Sequence, residues 1–282
     1  MDNPYYISGP AQIAFSGGRS SGYMLYHILD AYDGKLPNSV IVSFQNTGRE
    51  MPETLDFIEA CSRNWNIHIE WVEYDPALPS NWKHVDHATA ARNGEPFAAL
   101  VRKRKYLPNP VARFCTAELK VRTAKRYMLA QGFTHWNAIL GMRGDEPKRV
   151  INACKPSRDR WTNVCPMAFA SVTKHTVADF WRKQPFDLQL PNINGKTPLG
   201  NCDLCFMKSE ANIAGIMRDY PDRAKWWIEL EESISASKGK LAQFSPTFSL
   251  GSIWKTIQSQ GDWIFDDQNQ FFCDSAQGGC TD

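Results

Sequence analysis

Two rhythms of apolar and polar positions take turns along the chain. Short runs of alternating or clustered apolar residues at 12–15, 39–44, 68–74 and 134–140 have the length and composition of strands. Between them, apolar residues recur at helical spacing over 23–29, from Pro52 onward, and from Thr116 through Leu129. Pro52 in a first helical position, Glu50 and Glu53 beside it, and Thr116 as a cap supply helix-start signals. Strand and helix in alternation predict an α/β chain with a mostly parallel sheet. The rhythm lapses over 75–110, which reads as irregular, and loosens after Trp161. Beyond that point Thr173 caps a helix through Trp181, and 187–198 is turn-rich. Amphipathic helices follow at 208–219 and 223–235, with a short one after Ser245. The predicted division is an α/β domain over 1–186 and a smaller helical, cysteine-bearing region over 187–282.

In a parallel α/β sheet, ligands bind just past the strand C termini, so the turns there carry the candidate chemistry. The first is Ser16-Gly17-Gly18-Arg19-Ser20-Ser21-Gly22. Its paired glycines expose successive backbone N–H groups, a helix N terminus follows directly, and three serines add hydroxyl donors, which together suit a phosphate-type anion. The competing reading is an ordinary strand-to-helix turn, for which one glycine suffices. Asn46, Thr47 and Gly48 end the second strand beside it. The fourth strand delivers Gly141-Met142-Arg143-Gly144-Asp145-Glu146-Pro147-Lys148-Arg149. There Arg143 and Arg149 suit bidentate phosphate contact, and Asp145 and Glu146 suit Mg²⁺ or a ribose hydroxyl. The rival for this stretch is a self-neutralising surface loop.

The whole-chain numbers narrow the class. At 282 residues, 43% hydrophobic and 22% charged, the chain can bury a real core, and its net charge of +2 demands no nucleic acid. A local patch is possible at Arg102, Lys103, Arg104 and Lys105, followed by Tyr106, either as a solvated loop or as a strip for a polyanion. The N terminus lacks signal-peptide features and no run approaches a membrane span, so a soluble cytoplasmic protein is expected. In that setting the eight cysteines point to metal or redox work before disulfides. Cys202-x-x-Cys205 is a two-thiolate bite for a tetrahedral metal or an iron–sulfur cluster. Cys115, beside Arg113 at a helix start, reads as reactive or metal-binding. Cys61 reads as core, and no histidine has a placed carboxylate partner.

The segment Ser16-Gly17-Gly18-Arg19-Ser20-Ser21 resembles the PP-loop of the ATP-pyrophosphatase and phosphoadenosine phosphosulfate (PAPS) reductase superfamily, with Ser20 at the motif's acidic position. Four further stretches are similar to that family in the same order. These are the Thr47-Gly48…Pro52-Glu53-Thr54 element, Arg113-x-Cys115…Lys120, Gly141-x-Arg143-x-Asp145-Glu146…Arg149, and the Cys202/Cys205 pair. The Cys-Thr-Asp ending at 280–282 is similar to phage and prophage members.

The resemblance implies a doubly wound fold of the adenine nucleotide α-hydrolase type. Its nucleotide contacts would come from Ser16, Gly17, Gly18, Arg19, Ser20, Ser21, Asn46, Thr47, Gly48, Asp145 and Glu146, with Arg143, Arg149, Lys120 and Cys280 in catalysis. It also implies a [4Fe-4S] cluster on Cys115, Cys202 and Cys205. Phe114 stands where the family's second paired cysteine would be, so the fourth ligand would be Cys280 or Cys273, or Cys165 or Cys154, or the cluster would keep three cysteines and an open iron. Zinc on Cys202, Cys205, Cys273 and Cys280, a redox dithiol, or plain buried cysteines stay open. The reaction expected first is adenylation of an acceptor by ATP, releasing pyrophosphate, then sulfur transfer; the candidate partners are a nucleic-acid acceptor or a sulfur donor protein. The alternatives are a sulfonucleotide reductase that releases sulfite, and a nucleotide-sensing module without chemistry.

Overall fold

The structure, a computed structural model, describes residues 3–260. In chain order it contains β1 (Ala11–Ala14), α1 (Arg19–Ala31), β2 (Val40–Asn46), α2 (Pro52–Asn64), β3 (Glu70–Tyr74), β4 (Trp82–Val85) and α3 (Glu95–Arg104). A π-helical turn (Thr116–Arg122) runs into α4 (Thr123–Ala130), followed by β5 (Trp136–Leu140), α5 (Pro147–Ala153), β6 (Trp161–Val164), α6 (Pro166–Phe169) and α7 (Lys174–Trp181). Three helices close the described chain: α8 (Glu210–Asp219), α9 (Pro221–Lys238) and α10 (Leu250–Gln260).

The strands form one sheet in the order β4-β3-β2-β1-β5-β6, parallel throughout except for β4 against β3. The chain builds outward from β1 to β4, then returns to the other side of β1 with β5. The strand order therefore reverses between β1 and β5, the place where a doubly wound sheet opens a crevice. Period-2 alternation separates the faces of β1. Ala11 and Ile13 enter the large core, together with buried residues of α1, α2 and α7, whereas Gln12 and Ala14 face a cavity on the opposite side. On that opposite side a smaller core gathers Val72, Tyr127, Met128 and Trp136. The large core also takes in Leu188, Leu190, Leu204, Trp227 and Phe244 from the C-terminal third.

Three local expectations need correction. The stretch 75–110 contains β4 and α3. Trp82-Lys83-His84-Val85 is a short antiparallel edge strand, too mixed in polarity to show on its own. The basic run is no loop: Arg102, Lys103 and Arg104 form the last turn of α3, where cations complement the helix C terminus. Thr116 is not a cap, because Phe114 and Cys115 are already helical. By contrast, Thr173 caps α7 as expected, its hydroxyl accepting from the Thr176 N–H.

Candidate functional site

The glycine turn after β1 is shaped mainly by its own residues. Gly17 has φ +77°, and a Cβ there would lie 2.7 Å from Thr54 Cγ2 and 2.8 Å from Ile58 Cδ1, so the turn needs glycine for both its dihedral and its space. The Ser21 hydroxyl donates to the Gly18 carbonyl (2.9 Å) and accepts from the Ser16 N–H (3.3 Å), with the Ser16 hydroxyl 3.0 Å away. These bonds hold the turn open ahead of α1, whose first residues, Arg19 to Ser21, are buried. At α1, Gly18 caps through its extended backbone with no side-chain bond to the first N–H groups. The backbone donors of a helix start are thus presented toward the β1/β5 crevice, where an anion is favoured.

Arg19 faces away from this seat. Its guanidinium is engaged by the Asp187 carboxylate (2.8 Å), the Thr197 hydroxyl (3.0 Å) and the carbonyls of Leu188 and Leu190. The side chain ties the turn-rich 187–197 stretch to the first helix, so what Arg19 has left to offer a ligand at the turn is its backbone. Trp181 Nε1 donates to the Arg19 carbonyl (2.8 Å), which anchors α7 at the same point.

Across the crevice, the loop after β5 meets the glycine turn at close range. A Cβ on Gly141 would come within 3.1 Å of Ser21 Cα, so the backbones pack against each other. Arg143 is buried, and its Nη1 donates to the Ser20 hydroxyl (3.0 Å). It also donates from Nε to Asp145 (2.8 Å) and lies 3.6 Å from Glu146, while Arg149 pairs with Glu146. Asp145 and Glu146 further accept from the backbone N–H groups of Lys174 (3.0 Å) and Arg143 (3.2 Å). The loop is mutually neutralising, with Arg143 and Glu146 buried and Asp145 exposed, and its carboxylates orient the arginines. Ser20 matters here: a neutral hydroxyl on Arg143 leaves that guanidinium's charge less balanced than an acid would.

Asn46, Thr47 and Gly48 form a buried hinge of hydrogen bonds beyond β2. Asn46 Nδ2 donates to Glu73 (2.6 Å) and the Ala91 carbonyl (2.9 Å), and the Thr47 hydroxyl and N–H both contact the Glu50 carboxylate (2.9 and 3.0 Å). The Thr47 hydroxyl also lies 3.4 Å from Cys202 Sγ, so this hydrogen-bonded turn reaches the cysteines.

Two cavities meet at this edge of the sheet. The larger, about 530 Å³, lies between the β1/β5 face and α4; Phe15, Ser16, Phe44, Leu140 and Trp161 line it, with Lys120 and Lys125. That volume and its apolar walls with a few polar groups suit a small-molecule ligand. The smaller, about 30 Å³, is lined by Thr47, Cys115, Cys202, Cys205 and Arg113, and by Lys120 again. Lys120, on the π-helical turn and 3.9 Å from Glu50, is therefore common to both. A π-helical turn shifts the phase of the side chains that follow it and is frequent at functional sites.

The three cysteines converge on one cavity from two distant segments. Burial of its sulfur, with the Glu50 carboxylate beside it, pushes the Cys202 thiol up to about 12, while Lys120 and the Thr47 hydroxyl act the other way. Among the described residues, no three or more of His, Cys, Asp or Glu stand as a ready metal-binding group. The donors fit a thiolate-held metal or cluster in kind, and the space between them is small, about 30 Å³. Cys273 and Cys280 lie outside the described residues, and with them the zinc set and the role given to Cys280. Cys154 and Cys165 do not line this cavity; their sulfurs contact each other at 3.6 Å. Cys61 is core, its thiol pushed up by burial.

What holds the cysteine turn in place was not visible in the sequence. Asp203, between the two cysteines and fully buried, accepts from Arg49 (2.5 Å), Arg223 (2.5 Å) and Trp227 Nε1 (2.7 Å). Its own N–H donates to the Arg49 carbonyl (3.0 Å), and Arg49 stacks 4.4 Å from the Trp226 ring centroid. The one available signal was an acid inside a CxxC, with an arginine directly after the Thr-Gly turn.

No helix among the described residues is long and apolar enough to cross a membrane. No family model matches the chain. A protein of Escherichia phage lambda described as "Uncharacterized nin region protein ORF290" is 31% identical over 219 residues, covering 73% of this chain and 69% of its own length. Among solved structures, the U34-tRNA thiolase NcsA from Methanococcus maripaludis, with its [4Fe-4S] cluster, aligns over 96% of this chain and 81% of its own at a TM-score of 0.44 and 12% identity. A likeness that distant carries no argument about this chain.

Proposed function

The chain belongs to the family of the Escherichia phage lambda nin region protein ORF290, and from its site we propose an ATP-binding PP-loop enzyme that adenylates an acceptor and passes sulfur to it. The observation that carries this reading is the shared lysine. Lys120 borders both the 530 Å³ cavity that opens at Ser16 and the small cavity with three thiols. In this reading adenosine occupies the large cavity, and its phosphates lie on the backbone N–H groups at Gly17–Ser21. Lys120 and Arg143 stabilise charge on the leaving pyrophosphate, as preorganised cations do in a site shielded from water. Arg149 contributes by holding Glu146, which in turn positions Arg143. Cys115, Cys202 and Cys205 would hold a [4Fe-4S] cluster, which when bound supplies a site for sulfur. Thr47 and Glu50 set the Cys202 sulfur.

The test is anaerobic purification with iron and acid-labile sulfide analysis, followed by nucleotide assays. Pyrophosphate release from ATP that depends on an added acceptor supports the enzyme. Sulfite release from a phosphosulfate nucleotide in the presence of a thiol reductant moves the chain to the reductase reading instead. ATP binding without turnover of either nucleotide leaves the sensing module. If neither nucleotide shifts the melting temperature, the proposal fails.

A further inference from the structure

A second pair of sulfurs lies outside the site just described. Cys154, at the end of α5, is exposed, and Cys165, directly before α6, is fully buried. Their Sγ atoms are 3.6 Å apart, with the Cys154 thiol donating to Cys165. The intervening chain is β6 and the loop before it. Asn163 Nδ2 donates to the Ala153 carbonyl (2.7 Å), which holds the two ends of that segment side by side. Here one thiol is open to reagents and the other is sheltered behind it, in van der Waals reach.

We propose that Cys154 and Cys165 are a thiol-redox site that exchanges with a small disulfide of the glutathione class and closes a reversible intramolecular disulfide. In the first step the Cys154 sulfur, having lost its proton, attacks one sulfur of the small disulfide, breaking its S–S bond and expelling one small thiol. In the second, Cys165 gives up its proton and attacks the Cys154 sulfur of the mixed disulfide, expelling the other small thiol. Two protein thiols are oxidised, one disulfide is reduced to two thiols, and the two protons leave with them. The burial that raises the Cys165 thiol to about 12 keeps it from reacting first, while Arg149 eases its ionisation when the mixed disulfide forms beside it. The bond would join the end of α5 to the start of α6.

The experiment uses the full chain, reduced under argon and then incubated with oxidised glutathione over a range of ratios. Samples are alkylated and digested with trypsin. Arg158 and Arg160 lie between the two cysteines, so digestion separates them unless they are bonded. The expected result is a disulfide-linked pair of peptides carrying Cys154 and Cys165, two hydrogens lighter than the reduced pair and released by dithiothreitol. In Cys165→Ser, the linked pair should vanish and Cys154 should persist as its glutathione adduct. The wild-type digest decides alone if that variant fails to fold. A stable glutathione adduct on Cys154 in the wild type, or both thiols still alkylated at ratios that modify the half-buried Cys115, overturns the proposal.

Discussion

In the turn after β1, the hydrogen bonds that shape the backbone run among Ser16, Gly18 and Ser21, while Thr54, Ile58 and Gly141 wall it in and Arg143 and Trp181 brace it from outside. The cysteine cavity has no such economy. It draws Thr47 from the end of β2, Cys115 from the start of the π-helical turn, and Cys202 and Cys205 from a late loop. Asp203 then holds that loop through Arg49, Arg223 and Trp227. One half of the site is a local backbone motif; the other is an assembly around a single buried carboxylate. The first should tolerate damage far away, and the second should collapse when its hub is lost.

Removing the hub gives the largest expected effect. In Asp203→Ala two arginines and an indole N–H lose their buried acceptor, and breaking a buried pair this way costs about 3–5 kcal/mol. Denaturant titration should show that loss, together with failure to retain iron, while ATP still raises the melting temperature of the folded fraction. A loss below about 1 kcal/mol, the range of an exposed pair, would remove the contrast drawn above.

Gly17→Ala attacks the local half. The positive φ and the contacts with Thr54 and Ile58 predict a strain of about 1–3 kcal/mol. The ATP-induced melting shift should disappear while iron content stays at the wild-type level. Loss of iron with retained nucleotide binding would invert the assignment of the two halves.

Arg19→Ala sharpens the comparison from within the loop itself. The side chain serves Asp187 and the 187–197 carbonyls, so its loss should cost roughly 1.5–3 kcal/mol of stability. Nucleotide affinity, measured by calorimetry on the folded variant, should hold. An affinity collapse without a stability change would return this guanidinium to the phosphates.

The smallest effect is a pH dependence from Cys165. Its folded pKa is raised from 9.0 to about 12, so between those values the unfolded thiol ionises while the folded one does not. The unfolded state then binds fewer protons, and stability falls as pH rises above 9.0, by at most about 1.4 kcal/mol per pH unit. Urea midpoints from pH 8 to 10 should drop less in Cys165→Ala, by roughly the linkage term alone. Equal slopes in the two proteins would show that the buried thiol does not contribute.

Much of the sheet could be read in advance because strand and helix periodicity is a property of adjacent residues. The runs at 39–44, 68–74 and 134–140 correspond to β2, β3 and β5. β4 escaped because an edge strand of mixed polarity becomes a strand only when β3 offers its backbone. The basic end of α3 reads as loop composition, yet the same cations favour a helix C terminus. In the candidate site, the glycine turn and the CxxC stood out by residue type. Asp203 and the Cys154–Cys165 contact did not, since nothing local distinguishes an acid that will be buried or two cysteines that will touch.

By itself the sequence determined where the chain could turn tightly, which helix starts would offer bare N–H groups, and which thiols were available. Those properties depend on dihedral freedom and side-chain chemistry, both local. Only the tertiary structure decided that Arg19 points to Asp187 and away from the crevice, that Lys120 borders two cavities, and that three cysteines from two segments share one of them. Burial and long-range pairing set those outcomes, because a charge taken out of water goes to whatever partner the fold brings within reach.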